Sequence, residues 1–243
     1  MLRVSIIIPT LNEASCLPRT LSYLRLLDPQ PLEIIVVDSQ SEDNTVSIAA
    51  AAGVKVVSCP IRRRSVQMNY GAKVATGEVL CFVHADTLVP DDLIDLITQT
   101  LNHSAIVGGG FIAVMMGNKT TRWGTSLHNV LKTYYAPILF RPHLFLKGLR
   151  VLFGDQVIFC RRRSFWDCGG FDPDLPIMED ADLCLKLVQY GRIRLVNRMV
   201  YTSDRRVIRW GAVKANLIYL YIGFLWGMGV SAEKLQRFYQ DIR

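Results

Sequence analysis

The chain has 243 residues, of which 50% are hydrophobic and 20% charged, so it can bury the core of one large domain and is not intrinsically disordered. Its formal net charge of +7 favours anionic partners such as phosphates or acidic lipid headgroups, although a basic surface can also serve solubility alone. The six cysteines form no CxxC pair, which argues against a zinc site or a disulfide framework. The first apolar run is too short for a signal peptide, so we expect a cytoplasmic protein.

The first hundred residues alternate between strand-like and helix-like patterns. Short β-branched apolar runs predict strands over residues 4–9, 32–38, 55–58 and 79–84. Apolar residues at helical spacing predict helices over residues 14–27, 45–52, 66–75 and 91–101. Continuous apolar strands that alternate with helices are typical of an α/β fold, a mostly parallel sheet covered on both faces. Ligands of such sheets bind beyond the carboxyl ends of the strands.

The alternation weakens after Gly108-Gly109-Gly110. Residues 111–153 mix aromatic and basic residues with little periodicity, and we expect a less regular region there. Regular patterns resume with a strand over residues 157–160, a short helix near 164–168 and a helix over 179–189. Because no repeat or low-complexity linker divides the chain, we predict one domain over residues 1–205 and a helical tail over 206–243.

Two polar residues follow the fourth predicted strand. A carboxylate such as Asp86 at a strand end can hold a hard divalent cation that takes its other ligands from a diphosphate. His84, two residues earlier, lies on the same side of an extended chain, and imidazole is an acceptable ligand for manganese. The alternative is that Asp86 caps a turn and His84 packs at the strand end.

Acidic residues open the helix predicted over 179–189. Glu179, Asp180 and Asp182 complement the positive end of the helix dipole, which is a sufficient structural reason for their presence. The functional alternative is that one of these carboxylates is a general base for a sugar hydroxyl.

A basic run, Arg62 to Arg64, precedes the third predicted helix. Such a run is typical of phosphate contacts at a helix start, and it can equally be a solvated turn. The basic clusters of the chain are not interleaved with aromatic residues, so we expect no nucleic acid partner. The first strand is followed by neither GxxxxGK[ST] nor GxGxxG, which disfavours an ATPase or a dinucleotide dehydrogenase.

The order and spacing of these motifs resemble the family 2 glycosyltransferases, which have the GT-A fold. The matching stretches are "SIIIPTLNE", "IIVVDSQSEDNT", "NYGAKVATGEVLCFVHAD" and "GGFDPDLPIMEDADL". The stretch from His84 to Asp86, with Gly154-Asp155-Gln156, is similar to a bacterial branch whose metal motif reads His-Ala-Asp. The resemblance implies a nucleotide-sugar-binding half over residues 1–107 and an acceptor and catalytic half over 108–205.

The resemblance also implies a role for individual residues. Nucleotide-sugar contacts would come from Pro9, Asn12, Glu13, Asp38, Arg64, Gln67, Asn69 and Asp155. Asp86 would bind a divalent metal, Mn²⁺ or Mg²⁺, and His84 replaces the first Asp of the family's Asp-x-Asp. Asp180, beside Glu179, would be the catalytic base of an inverting transfer from a nucleoside-diphosphate sugar to an acceptor hydroxyl. The alternatives are a nucleotidyltransferase and a non-catalytic nucleotide- or glycan-binding module.

The tail contains an apolar segment that begins at Leu217 and has about fourteen residues, fewer than the roughly 20 that span a bilayer. Three interpretations stand: a helix packed on the domain or on a homodimer partner, a helix in the membrane interface, and a membrane span. Basic and aromatic neighbours favour an anionic membrane surface, and they are Arg205, Arg206, Arg209, Lys214, Trp210, Tyr219, Tyr221 and Trp226. A peripheral position on the inner face of the cell membrane would suit a lipid or a lipid-linked glycan as the acceptor.

Overall fold

A computed structural model describes residues 2–117 and 120–238, which fold around one mixed sheet. The strands are β1 (Val4–Thr10), β2 (Glu33–Asp38), β3 (Lys55–Ser58), β4 (Val79–Phe82), β5 (Ile106–Met116), β6 (Phe159–Arg161) and β7 (Arg192–Ser203). Their order in the sheet is β3-β2-β1-β4-β6-β5-β7. Neighbouring strands are parallel except where β6 pairs with β4 and β5. The predicted α/β fold with a mostly parallel sheet is confirmed.

Helices cover both faces of the sheet. They are α1 (Leu17–Leu24), α2 (Thr45–Ala51), α3 (Arg64–Val74), α4 (Leu93–Leu101), α5 (Trp123–Phe140), α6 (Pro142–Lys147), α7 (Arg162–Asp167), α8 (Glu179–Leu187), α9 (Arg205–Trp210), α10 (Ala212–Gly227) and α11 (Ala232–Gln236). Helices α1, α2 and α4 share one core with the sheet, and α3, α6, α7 and α8 share the other. A short 3₁₀ turn over Gly154–Gln156 precedes β6.

The first strand shows why continuous apolar runs form this sheet. All seven residues of β1 are buried. Ile6 and Ile8 enter the core that contains α1 and α4, while Ile7 enters the core beneath α3. A Cβ atom at Gly71 of α3 would collide with Ile7, so the backbone of this helix lies directly on the strand. The three consecutive isoleucines of β1 are therefore buried on both faces of the sheet, because helices pack on both sides of the strand.

The second half of the chain is more regular than expected. The expectation of a less regular region over residues 111–153 is wrong, because β5 continues to Met116 and α5 is an 18-residue helix. Gly108, Gly109 and Gly110 interrupt the apolar pattern that would otherwise have predicted strand β5. A Cβ atom at Gly109 would lie 2.5 Å from the carbonyl oxygen of Arg194, so the close pairing of β5 with β7 needs a residue without a side chain.

The tail helices pack back onto the domain. Ile222 of α10 and Leu235 of α11 form a small core with Ile177, and Val207 of α9 packs with Met115. The amide nitrogen of Asn216 on α10 donates a hydrogen bond of 2.9 Å to the Thr125 hydroxyl on α5. Within the described ranges, no helix is both long enough and apolar enough to cross a bilayer. Residues 239–243 of the predicted tail lie outside the described part of the chain.

Candidate active site

A cleft of about 520 Å³ lies at the edge of the sheet where β1 and β4 end. Loops, the first turns of α3 and α8, and the tail helices form its walls. Most of the residues expected at the site line it, namely Pro9, Glu13, Arg64, Gln67, His84, Asp86, Asp155, Glu179 and Asp180. Helices α9, α10 and α11 contribute Arg205, Val207, Tyr219, Ile222, Gly223 and Gln236. The cleft therefore combines strand ends from the first half of the chain with helices from its end.

Arg205 joins two acidic loops across the cleft. Its guanidinium donates hydrogen bonds of 3.1 and 3.2 Å to the Glu13 carboxylate and one of 2.8 Å to Oδ2 of Asp86. Partial burial by itself would lower the pKa of Arg205, but the hydrogen bonds to Glu13 and the charge of Asp86 raise it above its usual range. Arg205 is therefore a fixed positive charge between the loops that follow β1 and β4.

His84 and Asp86 lie in a turn and not in the strand. The fourth strand ends at Phe82, two residues earlier than predicted, and the Thr87 N–H then donates a hydrogen bond of 3.1 Å to the His84 carbonyl. A Cβ atom at Gly154 would collide with both the His84 imidazole and the Arg64 guanidinium. His84 thus lies against the 3₁₀ turn and Arg64, while Asp86 points to Arg205.

Arg64 holds the two acidic residues that open α8. Its Nε lies 3.0 Å from Glu179, and its Nη2 contacts Oδ2 of Asp180. The Gly154 N–H donates a further hydrogen bond of 2.8 Å to the same Asp180 oxygen. The other oxygen, Oδ1, is buried and accepts no hydrogen bond from any residue that the structure describes. A buried carboxylate oxygen without a donor is unusual and is suited to receive a hydroxyl from a substrate.

Three expected contact residues lie outside the lining of the cleft: Asn12, Asp38 and Asn69. The Asp38 carboxylate accepts hydrogen bonds from Thr10 and Ser41, and Asn12 accepts one from the backbone of Glu42. The side-chain amide of Asn69 makes two hydrogen bonds with the Phe171 backbone. These side chains hold the loops that shape the cleft, because other protein groups occupy the polar atoms named here.

Gln67 lines the cleft but uses its amide group on the sheet. Its Nε2 donates hydrogen bonds of 2.7 Å to the Thr10 carbonyl and 2.9 Å to the Val37 carbonyl. The side chain is 2% exposed. Gln67 therefore binds the ends of β1 and β2 together beneath the cleft.

Lys132 lines the cleft but was not expected there from the sequence. This lysine is buried in α5, and its ammonium group lies 3.5 Å from the centre of the Phe153 ring. Burial lowers the pKa of Lys132 to about 8, against the opposing charges of Asp155 and Asp180. In the sequence, Lys132 stands out only as a lysine within a mostly apolar stretch. That stretch has no recognisable periodicity, so the sequence did not indicate which of its residues are buried.

The loop after β4 supplies only some of the ligands that a bound cation needs. Among the described residues, no three His, Cys, Asp or Glu side chains are grouped as a metal site. A magnesium-like ion needs only one or two protein carboxylates when substrate phosphates supply other ligands. Asp86, whose carboxylate already attracts a cationic group, meets that requirement. The residues present therefore fit a cation that arrives together with a diphosphate.

Comparisons with known proteins agree with the sequence motifs. The family model described as glycosyl transferase family 2 matches residues 5–169. A pre-mycofactocin glycosyltransferase from Mycobacterium tuberculosis is 26% identical over 215 residues, which cover 84% of this chain and 43% of that protein. A PGL/p-HBAD biosynthesis glycosyltransferase from Mycobacterium bovis is 28% identical over 224 residues, covering 88% and 80%. The chain thus spans less than half the length of the first of these relatives.

Solved structures show the same fold. Glucosyl-3-phosphoglycerate synthase from Mycobacterium tuberculosis, crystallised with Mn²⁺, uridine diphosphate and phosphoglyceric acid, superposes with a TM-score of 0.66 at 21% identity. The superposition covers 94% of this chain and 79% of that one. The predicted GT-A fold is therefore confirmed.

Removing the buried charge of Lys132 should stabilise the protein at neutral pH. A lysine with a lowered pKa in the folded state destabilises the fold below that pKa, and the penalty disappears as the pH rises towards the unfolded value of 10.5. At roughly 1.4 kcal/mol per pKa unit, Lys132→Met should raise the free energy of unfolding by about 3 kcal/mol at neutral pH. Urea denaturation at neutral pH and at about pH 10 measures the difference, which should shrink at the higher pH.

The matched control is Lys147→Met, which removes an exposed lysine from α6 and should leave stability unchanged. If Lys132→Met destabilised the protein equally at both pH values, Lys132 would not carry a desolvated charge.

Proposed function

This chain belongs to glycosyl transferase family 2, and from that membership we propose that it transfers a sugar from a nucleoside-diphosphate sugar to an acceptor hydroxyl. The observation that carries the proposal is the Asp180 carboxylate, whose Oδ2 is held by Arg64 and the Gly154 N–H while Oδ1 faces no donor among the described residues. A carboxylate fixed through one oxygen presents the other to a substrate in a defined direction. This is the geometry that a general base requires.

The donor diphosphate would bind among the basic groups of the cleft. Arg62, Arg63 and Arg64 lie at the start of α3, and Arg205 faces them from the tail. Pro9, Glu13 and Asp155 complete the wall on which the nucleotide would lie. Guanidinium groups match the paired oxygens of a diphosphate and stabilise the negative charge that appears as it leaves.

Asp86 would hold the divalent cation, Mn²⁺ or Mg²⁺. A bound cation of this kind would supply positive charge to the leaving diphosphate. The crystallised synthase with Mn²⁺ and uridine diphosphate has the same fold and supports this assignment.

Asp180 would take the proton from the acceptor hydroxyl through Oδ1. The hydroxyl oxygen then attacks the anomeric carbon from the face opposite the diphosphate, which inverts the configuration at that carbon. Glu179 holds the Nε side of Arg64 and so positions the guanidinium that contacts Asp180. Neither a nucleotidyltransferase nor a non-catalytic module would need a base on the acceptor side of a sugar.

Asp180→Asn should abolish transfer and spare nucleotide binding. General base catalysis contributes about 10²- to 10⁴-fold to a rate, so kcat should fall by that factor. The Kd for nucleotide, measured by calorimetry, should change little because Asn keeps the shape of the side chain. Asp182→Asn is the matched control, since Asp182 pairs with Lys186 one turn further along the same helix, at 2.9 Å. An Asp180→Asn protein with full activity would overturn the assignment of the base.

A thermal-shift panel of nucleoside diphosphates with and without Mn²⁺ or Mg²⁺ tests the donor site. A ligand at about 100 times its Kd stabilises the folded state by about 2.7 kcal/mol. For a chain of this size that corresponds to a rise in Tm of roughly 5–10 °C. Asp86→Ala should lose the part of the rise that depends on the metal.

Asp91→Ala, which changes an exposed residue just after the same loop, should behave as the wild type. If no nucleotide raised the Tm under any metal condition, nucleotide-sugar transfer would be excluded for this chain.

We also propose that the protein lies on the surface of an anionic membrane. Two apolar stripes are exposed at helical spacing, Trp123, Leu127, Leu131, Tyr134 and Ile138 on α5, and Val213, Leu217, Leu220, Phe224 and Met228 on or just after α10. We call these ten residues the two-helix face. The sequence has no Asp or Glu over residues 120–154 or 205–232, so the ionised groups of these segments are basic. An apolar surface with only basic charge around it suits acidic lipid headgroups.

Vesicle sedimentation tests this location. The wild type should sediment with phosphatidylcholine vesicles that contain phosphatidylserine, less with pure phosphatidylcholine, and less at high salt. Leu217→Glu should reduce sedimentation because a carboxylate replaces an apolar residue that is 60% exposed. Leu26→Glu is the control, since Leu26 is 71% exposed but follows α1, which packs on the opposite face of the sheet.

A wild-type protein that binds neither kind of vesicle would contradict the membrane location. A wild-type dimer that Leu217→Glu converts to a monomer, without vesicle binding, would instead identify the two-helix face as a subunit interface.

A further inference from the structure

A second cavity, of about 100 Å³, lies between α5 and α10 beside the cleft. Apolar side chains form most of its wall, among them Leu149 and Val151 on one side and Phe224 and Trp226 on the other. Cavities with apolar walls stay dry and bind apolar molecules. This cavity therefore differs in chemistry from the charged cleft next to it.

The cavity adjoins both the cleft and the surface. Five residues line both spaces, namely Lys132, Phe153, Met178, Tyr219 and Gly223. At its other side the cavity is lined by Leu139, Leu220 and Phe224, which are 67%, 48% and 53% exposed. The exposed apolar surface, the cavity and the charged cleft that holds Asp180 thus lie next to one another in this order.

A glycine on α10 keeps this space open. At Gly227 the two helices are close, because a Cβ atom there would lie 2.5 Å from the Phe140 ring. One turn earlier, at Gly223, a Cβ atom would meet nothing within 4 Å. Glycine in a helix interior is less stable than alanine by about 1 kcal/mol, and close packing does not require it at this position. The chain therefore has a glycine at Gly223 where a larger residue would stabilise the helix and enter the cavity.

We propose that this cavity binds the apolar part of an amphiphilic acceptor, whose hydroxyl group extends past Lys132 into the cleft and reaches Asp180. The inference rests on the proposed function, because it names the class of acceptor for the same base. An acceptor made only of sugar would leave an apolar cavity beside the reacting atoms without a ligand. The Lys132 ammonium group, which lies against the Phe153 ring at the junction, marks the change from apolar to polar surroundings.

Binding of n-alkyl glucosides of increasing chain length, each below the concentration at which micelles form, tests the cavity by calorimetry. Each methylene that enters an apolar site contributes about fourfold to affinity, so the Kd for the wild type should fall by about that factor per added methylene until the cavity is full. Gly223→Leu should abolish the dependence on chain length, and Gly223→Ala should reduce it. Both variants should keep or raise the Tm, because Leu and Ala favour helix over Gly.

Gly124→Leu is the matched control. Gly124 lies in α5, lines neither cavity, and a Cβ atom there also meets nothing within 4 Å. The control should bind every glucoside as the wild type does, so alkyl chains that merely adhere to the exposed helices would show no difference between Gly223→Leu and Gly124→Leu. A Kd that is independent of chain length, or a Gly223→Leu protein with wild-type affinities, would overturn the proposal.

Nucleoside diphosphate titrations of the same samples separate this inference from the proposed function. The Gly124→Leu control, which lies outside both spaces, should bind nucleotide as the wild type does. If binding depends on chain length but no nucleotide binds, the cavity's role as an apolar binding site is supported and the nucleotide-sugar donor is rejected. If nucleotide binds but glucoside binding does not depend on chain length, the nucleotide-sugar donor is supported and the cavity's role as an apolar binding site is rejected.

Discussion

Four carboxylates held by two guanidinium groups are the interaction on which this site depends. Arg205 contacts Glu13 and Asp86, and Arg64 contacts Glu179 and Asp180. Acidic groups collected in a partly buried cleft repel one another unless positive charges neutralise them. The pair Arg64–Asp180 is separated by 116 positions in the chain and the pair Arg205–Asp86 by 119. The cleft therefore exists only when the whole chain is folded.

The same pairing makes the cleft responsive to an anionic ligand. Arg205 and Arg64 are already oriented by carboxylates, so under the proposed function a diphosphate would meet guanidinium groups whose positions are set before binding. Lys132 adds a buried charge that its surroundings disfavour. Residues that lower stability in this way are common at sites that bind or react with charged substrates.

Helices α5 and α10 use different sides for different tasks. Their inner sides supply Lys132, Tyr219 and Gly223 to the cleft and to the apolar cavity, while their outer sides carry the two-helix face. A helix that is apolar nearly all round is expected to be buried or to meet a membrane. Here the tail is a wall of the cleft, and its outward side remains exposed in the isolated chain.

Local patterns predicted much of the first half of the fold. The eight elements expected before residue 102 all form, with ends displaced by a few residues, because an apolar run or helical stripe depends only on near neighbours. β5 and β7 were missed for a tertiary reason. The glycines of β5 conceal its pattern but permit its close approach to β7, and that requirement is visible only once the two strands are paired.

The sequence by itself determined the family, the α/β class and the types of residue at the strand ends, since motifs and apolar periods are local. The tertiary structure alone decided which of those residues share the cleft. It turned Asn12, Asp38 and Asn69 towards hydrogen-bond partners in neighbouring segments, and it brought Arg205 and Lys132 to the acidic loops. Charge pairing across more than a hundred residues depends on strand order and helix packing, which no local pattern specifies.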